Sequence, residues 1–178
     1  MYCGNNKTAC ASQLQIANAL LALLEEKPYS EISVSELCKK AGISRQTFYS
    51  LFSSMDNVIV YLLQNHGCYA PAAPEESASC LQALCREYCM YMIDQSDFIR
   101  TLVENHIIFL LYDSIYESLS ACPCFFEDFS PSKRSYVANF LAGGFTSIAK
   151  NYVMEGQSAD VEFLTSICLD LFEGRLLS

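Results

Sequence analysis

Apolar and polar positions between residues 33 and 52 recur at helical spacing, in two short runs separated by a glycine. In the first run, Val34 to Ala41, residues Leu37, Cys38 and Ala41 share one face, and Ser33 with Glu36 has the spacing of a capping box. Gly42 stops that run. Ser44 offers a second N-cap two residues later, so the helix it starts, about Arg45 to Leu51, must leave at a steep angle to the first. Ile43 closes the corner, and Phe48, Leu51 and Phe52 face inward. Residues 67–77, GCYAPAAPEES, hold two prolines and a glycine and read as a loop behind a fourth helix. The pattern beyond is again helical. Helices are expected at about Ser79 to Asp94, Phe98 to Ser120 behind a Ser96 cap, Pro131 to Glu155, and Ala159 to Leu176 behind Ser158. Pro123 and residues 125–131 mark an irregular connection, and no segment carries a convincing period of two. The expected fold is all-α with about nine helices. A three-helix helix-turn-helix domain with the start of a fourth helix fills residues 1–65, and a helical bundle fills residues 66–178.

In a helix-turn-helix the second helix supplies base contacts. Outside the apolar face of this one stand Arg45, Gln46, Thr47, Tyr49 and Ser50. Arg pairs bidentately with guanine, Gln serves adenine, a Thr methyl touches a thymine methyl, and Tyr and Ser hydroxyls suit phosphate oxygens. The same composition also suits an ordinary solvated helix face, and these residues alone leave both readings open.

The run from Ile32 through Ile59, with A-G-I-S-x-x-T-F-Y-x-x-F at its centre, resembles the DNA-binding domain of the TetR family of bacterial transcriptional regulators. Residues 15–33, QIANALLALLEEKPYSEIS, are similar to that family's first helix and the loop after it, with Ile16, Ala19, Leu20, Leu23 and Leu24 as the buried stripe. The resemblance implies a DNA-facing set of Arg45, Gln46, Thr47, Tyr49 and Ser50, with Ser44 at the start of the reading helix and Ser33 and Ser35 near a phosphate. It makes Phe48 structural. It also implies a homodimer on a near-palindromic operator in double-stranded DNA, its reading helices one turn, about 34–36 Å, apart. In that family a small molecule in the body changes this separation by moving the fourth helix. One departure stands out: the family often has a Lys against the DNA backbone at the start of that helix, and this chain has Met55.

Charge reinforces the departure. Residues 1–65 hold five basic side chains (Lys7, Lys27, Lys39, Lys40, Arg45) and five acidic ones (Glu25, Glu26, Glu31, Glu36, Asp56), so the net charge of -9 falls on residues 66–178. Each neutralised phosphate contributes roughly -0.9 to the slope of log K against log salt, so the salt dependence should be shallow. Hydroxyls and helix N-termini then have to hold the phosphates.

At 178 residues the chain allows one or two small domains. Its apolar runs, such as IIFLLY at 107–112, are too short to span a bilayer, and MYCGNNKTACASQ lacks the layout of a signal peptide. A cytoplasmic protein without membrane contact is expected. The ten cysteines then read as reduced thiols. Cys85 and Cys89 share a helix face with Cys80 nearby, and Cys122 and Cys124 bracket Pro123. A thiol sensor could be built from them, but no Cys-x-x-Cys pair occurs and His66 and His106 are the only histidines. Core packing is the favoured role, and neither metal nor cofactor is expected. An enzyme using Cys with His106 is a poor reading, since the chain has neither a nucleophile–base–acid order nor a phosphate-binding glycine loop.

In the body, Gly143 and Gly144 sit mid-helix, where each costs about 1 kcal/mol relative to Ala, so close approach of another helix is expected there. The last helix adds an apolar stripe containing Val161, Leu164, Cys168, Leu171 and Phe172. In the resembled family the final two helices form a four-helix bundle across the twofold axis, which makes these seven residues the expected dimer interface. Residues 140–156, FLAGGFTSIAKNYVMEG, further resemble a subgroup with C-terminal domains like that of the dihydroxyacetone-kinase operon activator. A ligand space is expected among Tyr88, Met92, Leu102, His106, Phe109, Tyr112 and Phe145, unless these simply fill the core. The leading functional expectation is a homodimeric repressor released by a small molecule. A regulator controlled by a protein partner is the alternative, with a thiol-based sensor behind it.

Overall fold

A computed structural model of the chain describes residues 6–65, 80–122, 126 and 129–174. Nine helices and no strand occur among them: α1 (Lys7–Leu24), α2 (Val34–Ala41), α3 (Arg45–Leu51), α4 (Met55–Asn65), α5 (Cys80–Asp94), α6 (Ser96–Glu104), α7 (Phe109–Ala121), α8 (Pro131–Met154) and α9 (Val161–Phe172). The expected loop at 67–77, together with His66 and Cys124, lies outside the described residues. The chain divides into two compact units, Met1–Asn65 and His66–Ser178.

The N-terminal unit is closed by local signals. The Asn6 side chain caps α1 by accepting from the Thr8 and Ala9 amides. The stripe expected on α1 is buried at Ile16, Ala19, Leu20 and Leu23, joined by Gln13 and Ala17, with Leu24 at its half-buried edge. One 3-10 turn, Tyr29–Glu31, leads to α2, where the Ser33 hydroxyl accepts from the Glu36 amide at 3.2 Å. Gly42 takes the left-handed conformation (φ 69°), and the Ile43 amide reaches back to the Cys38 carbonyl at 3.0 Å. That is a Schellman end, which a side chain at residue 42 would strain. Ser44 then caps α3 through the Thr47 amide at 3.0 Å. Leu37, Phe48, Phe52, Val58 and Ile59, all nearly inaccessible, meet the α1 stripe in one core.

In the C-terminal unit α5 lies along α9, and α8 packs against α6, α7 and α9. The expected single helix from 98 to 120 is two helices. The chain breaks at His106, whose φ of 59° places it in the left-handed region. The Ile107 amide bonds to the Leu102 carbonyl at 2.9 Å and the His106 amide to Val103 at 3.1 Å, a Schellman end built without glycine. Burial of Leu102 and Ile107 on either side of the corner supplies the apolar contact that holds it. His106 is therefore exposed at a bend, outside any helix. The final helix likewise starts later than expected, because Asp160 and not Ser158 caps it, accepting from the Phe163 amide at 2.8 Å. Pro131 opens α8 behind a Ser130 cap, as a missing N–H is tolerated there.

Candidate nucleic-acid interface

Helix α3 turns one face to the core and the other to solvent. Phe48 and Leu51 are buried, and Phe52 beyond its end is sealed with them. An aromatic run extends through this core: the Tyr49 ring meets Phe48 edge-on at 5.2 Å, Phe48 lies 6.0 Å from Phe52, and Phe52 meets Tyr61 of α4 edge-on at 5.6 Å. Rings so packed leave α3 little freedom to rotate about its axis. Arg45, Gln46, Tyr49 and Ser50 are exposed and Thr47 is half-buried. Ser33, Ser35 and Ser44 are exposed at the starts of α2 and α3.

The hydroxyls differ in what they have left to give. Ser33 accepts a helix amide, which leaves its own hydrogen free to donate outward. The Ser44 and Thr47 hydroxyls lie 2.9 Å apart and share one hydrogen bond. Ser50 already donates to the Thr47 carbonyl at 2.7 Å, so it must rotate before it can donate to a phosphate.

Two of the five cations are also committed. Lys27 pairs with Glu36 at 2.6 Å and Lys40 with Glu26 at 2.5 Å, tying α2 to the turn that follows α1. The Lys27 hydrogen bond, aided by the Ser33 amide, holds the Glu36 carboxyl below its ordinary range, so the capping box is closed as well. Among the described residues Lys7, Lys39 and Arg45 form no salt bridge and remain for other partners. A further link escapes sequence reading: the Tyr29 hydroxyl donates to Asp56 in the first turn of α4 at 2.5 Å. Burial, then the Asp56 carboxylate, push the Tyr29 phenol well above its usual value. Twenty-seven residues separate the two, and no local pattern announces the pairing.

The body residues are distributed differently from a single pocket. Tyr88, Met92, Leu102 and Phe145 are fully buried, and the Tyr88 ring lies 4.1 Å from Phe145 while its hydroxyl donates to the Phe145 carbonyl at 3.1 Å. His106 and Phe109 are exposed, and Tyr112, half-buried on α7, donates to Asn139 of α8. The first four are thus core and the last three lie at the surface. A cavity of about 490 Å³ opens elsewhere, between α8 and α9, walled by Phe140, Ile148, Tyr152, Phe163 and Phe172 with Asn151 and Glu155.

Of the seven residues expected at a dimer interface, Leu164 and Cys168 are buried within the unit and Val161 and Phe172 are half-buried. Gly144 faces Phe172 so closely that a Cβ there would lie 2.5 Å from the ring. Gly143 and Leu171 are exposed, and among the described residues nothing lies within 4 Å of where a Gly143 Cβ would be. Around them are exposed apolar side chains that the sequence reading passed over: Tyr136 (77% exposed), Phe140, Met154 and Phe163. Tyr136 and Phe140, four apart on α8, were the available signal.

Residues 16–62 match the family model described as bacterial regulatory proteins, tetR family. The chain is 34% identical over 61 residues to the HTH-type dhaKLM operon transcriptional activator DhaS of Lactococcus lactis, a match covering 34% of this chain and 33% of that protein. It is 54% identical over 41 residues to the HTH-type transcriptional regulator EthR of Mycobacterium tuberculosis, covering 23% of this chain and 19% of the other. Each match therefore spans a third or less of the relative. In fold, the whole chain superimposes on 97% of Lin0861 from Listeria innocua with a TM-score of 0.78 at 15% identity. It covers 95% of the solved dihydroxyacetone kinase operon activator DhaS with a TM-score of 0.52 at 19% identity, using 92% of its own length. The N-terminal unit is a helix-turn-helix, and its residues 16–62 are similar to the tetR family of bacterial regulatory proteins.

Proposed function

We propose that the protein is a cytoplasmic transcriptional regulator that binds a near-palindromic operator as a homodimer and represses by occupying it. The observation carrying this reading is the α3 face: Arg45, Gln46 and Tyr49 are held outward by a sealed aromatic core in a helix-turn-helix of the tetR type. Support for the dimer comes from α8 and α9, where among the described residues nothing lies within 4 Å of a Gly143 Cβ and exposed aromatics flank it. A second copy supplies the close neighbour that a mid-helix glycine calls for, and covers the apolar face.

The control step rests on the cavity of about 490 Å³ between α8 and α9, a volume suited to a small-molecule effector. The expected lining residues Tyr88, Met92, Leu102 and Phe145 are instead core, and a protein partner as effector is the alternative.

The test is a footprint on DNA upstream of the protein's own gene, with Arg45→Ala and Tyr49→Ala as controls, paired with sedimentation at micromolar concentration. A site bound equally by wild type and both variants would refute the reading helix, and a monomer would refute the dimer. A reporter fused to the bound promoter decides the direction of control: loss of the protein should raise expression.

A further inference from the structure

Three free thiols meet in the seam between α5 and α9. Cys85 and Cys89 stand one turn apart on α5, and Cys168 of α9 lies against both. The Cys89 and Cys168 sulfurs are 3.7 Å apart, and all three residues are wholly inaccessible. Sulfurs at that separation need only small side-chain rotations and a slight approach of the two helices to reach bonding distance, about 2.05 Å.

Cys168 is also connected to the outer face of its unit. Phe172, one turn further along α9, sits over Gly144 where no Cβ fits, and its ring meets Phe145 edge-on at 5.0 Å. Phe145 in turn packs against Tyr88, the residue before Cys89. The thiol pair, Phe172 and Gly144 thus form one packed circuit through α5, α9 and α8. A pull on α9 toward α5 has to be answered at the α8–α9 contact, because packed side chains have no slack to absorb it.

We propose that Cys89 and Cys168 form a redox-closable staple, oxidised by hydrogen peroxide to a disulfide that draws α9 toward α5 and loosens the α8–α9 face. In the first step the peroxide O–O bond breaks, one oxygen passes to a thiol sulfur to give a sulfenic acid, and water leaves. The second thiol sulfur then attacks the sulfenic sulfur, the S–S bond forms, and a second water leaves. Two thiols and one hydrogen peroxide give one disulfide and two waters. Contact with the Cys85 thiol and burial raise Cys168, and the Cys168 contact and burial raise Cys89. Both stay inert while the seam is shut, so the reaction occurs during local opening of α5 from α9.

The effect on the face rests on the proposed homodimer, whereas the disulfide does not. The full chain, treated with graded hydrogen peroxide, is alkylated in denaturant, digested without reduction and mapped by mass. The expected product is a Cys89–Cys168 peptide two hydrogens lighter, absent from Cys168→Ser and replaced by Cys85–Cys168 in Cys89→Ser. Oxidation should raise the thermal midpoint by at least about 5 °C, reversed by dithiothreitol. In sedimentation it should weaken self-association about tenfold. If Cys89 and Cys168 remain alkylatable at a dose that consumes the exposed Cys10, the staple is refuted. A disulfide that leaves self-association unchanged refutes the coupling to α8–α9. If the reduced protein is itself monomeric, the dimer fails and the peptide map still decides the staple.

Discussion

The two units bury aromatic rings in much the same way and leave opposite surfaces behind. In the N-terminal unit Phe48 and Phe52 are packed internally with half-buried Tyr61 against them, and what remains outside on α3 is polar: a guanidinium, an amide and hydroxyls. In the C-terminal unit Tyr88 and Phe145 are packed just as tightly, yet Tyr136, Phe140, Phe163 and Leu171 are left in solvent on α8 and α9. A surface of donors and acceptors suits a wet, polar partner such as DNA, while an apolar one suits a protein surface that excludes water. One fold class, with similar cores, thus presents two chemically distinct invitations.

The contrast can be broken most forcefully at the cores. Phe145→Ala removes the ring that joins Tyr88 to Phe172 and should cost about 3–5 kcal/mol of stability, read as a fall in thermal midpoint. A fall smaller than 1 kcal/mol would mean that this core is not packed as described. On the polar face, Arg45→Ala and Tyr49→Ala should each cost about 1–3 kcal/mol of operator affinity in a gel-shift titration. Arg45→Ala should leave the thermal midpoint in place, because its side chain is exposed, and Tyr49→Ala should lower it only slightly, because its half-exposed ring touches Phe48. A matching loss of stability would make them structural.

Gly143→Ala sharpens the apolar side. In an isolated protomer it should stabilise α8 by up to about 1 kcal/mol, since nothing occupies the space. Against a second copy the same methyl intrudes. Denaturation at low and high protein concentration should therefore show gain in the first case and loss in the second.

Tyr29→Phe probes the internal tie of the reading unit and should cost about 1 kcal/mol, the ordinary worth of a hydrogen bond. The Tyr29 phenol is raised above its usual value near 10, so its contribution is complete below pH 10 and declines as pH rises beyond it. The wild-type protein should lose stability from pH 10 upward more steeply than Tyr29→Phe. The smallest effect is expected from Glu36→Gln, which releases Lys27. If Lys27 then meets a phosphate, the salt slope of DNA binding steepens by about 0.9, while an unchanged slope would place Lys27 away from the backbone.

How much of this was legible in the chain follows the range of the interactions. Ser33, Gly42 and Ser44 each act on residues within five positions, so α2, its left-handed end and α3 could be placed before any coordinates. The break at His106 could not, because its left-handed conformation is held by burial of Leu102 and Ile107 instead of by a glycine. Tyr88 with Phe145, 57 positions apart, illustrates the other limit. Spacing shows that a residue is apolar and inward, but not whether the place it points to is filled. The expected close approach at the paired glycines was met by Phe172 at Gly144 and, among the described residues, by no atom at Gly143.

The two lysine–glutamate pairs of the reading unit bear on how such a regulator finds its site. A protein slides along DNA when loose cations trade one phosphate for the next, keeping it near the duplex between specific encounters. Lys27 and Lys40 are engaged with Glu36 and Glu26, which leaves a short supply of such cations. In the proposed regulator each excursion along the duplex should then be brief, with the search proceeding chiefly by repeated collisions from solution. Its occupancy in the cell would in consequence be governed by copy number and by how long α3 stays once seated, more than by capture from neighbouring sequence.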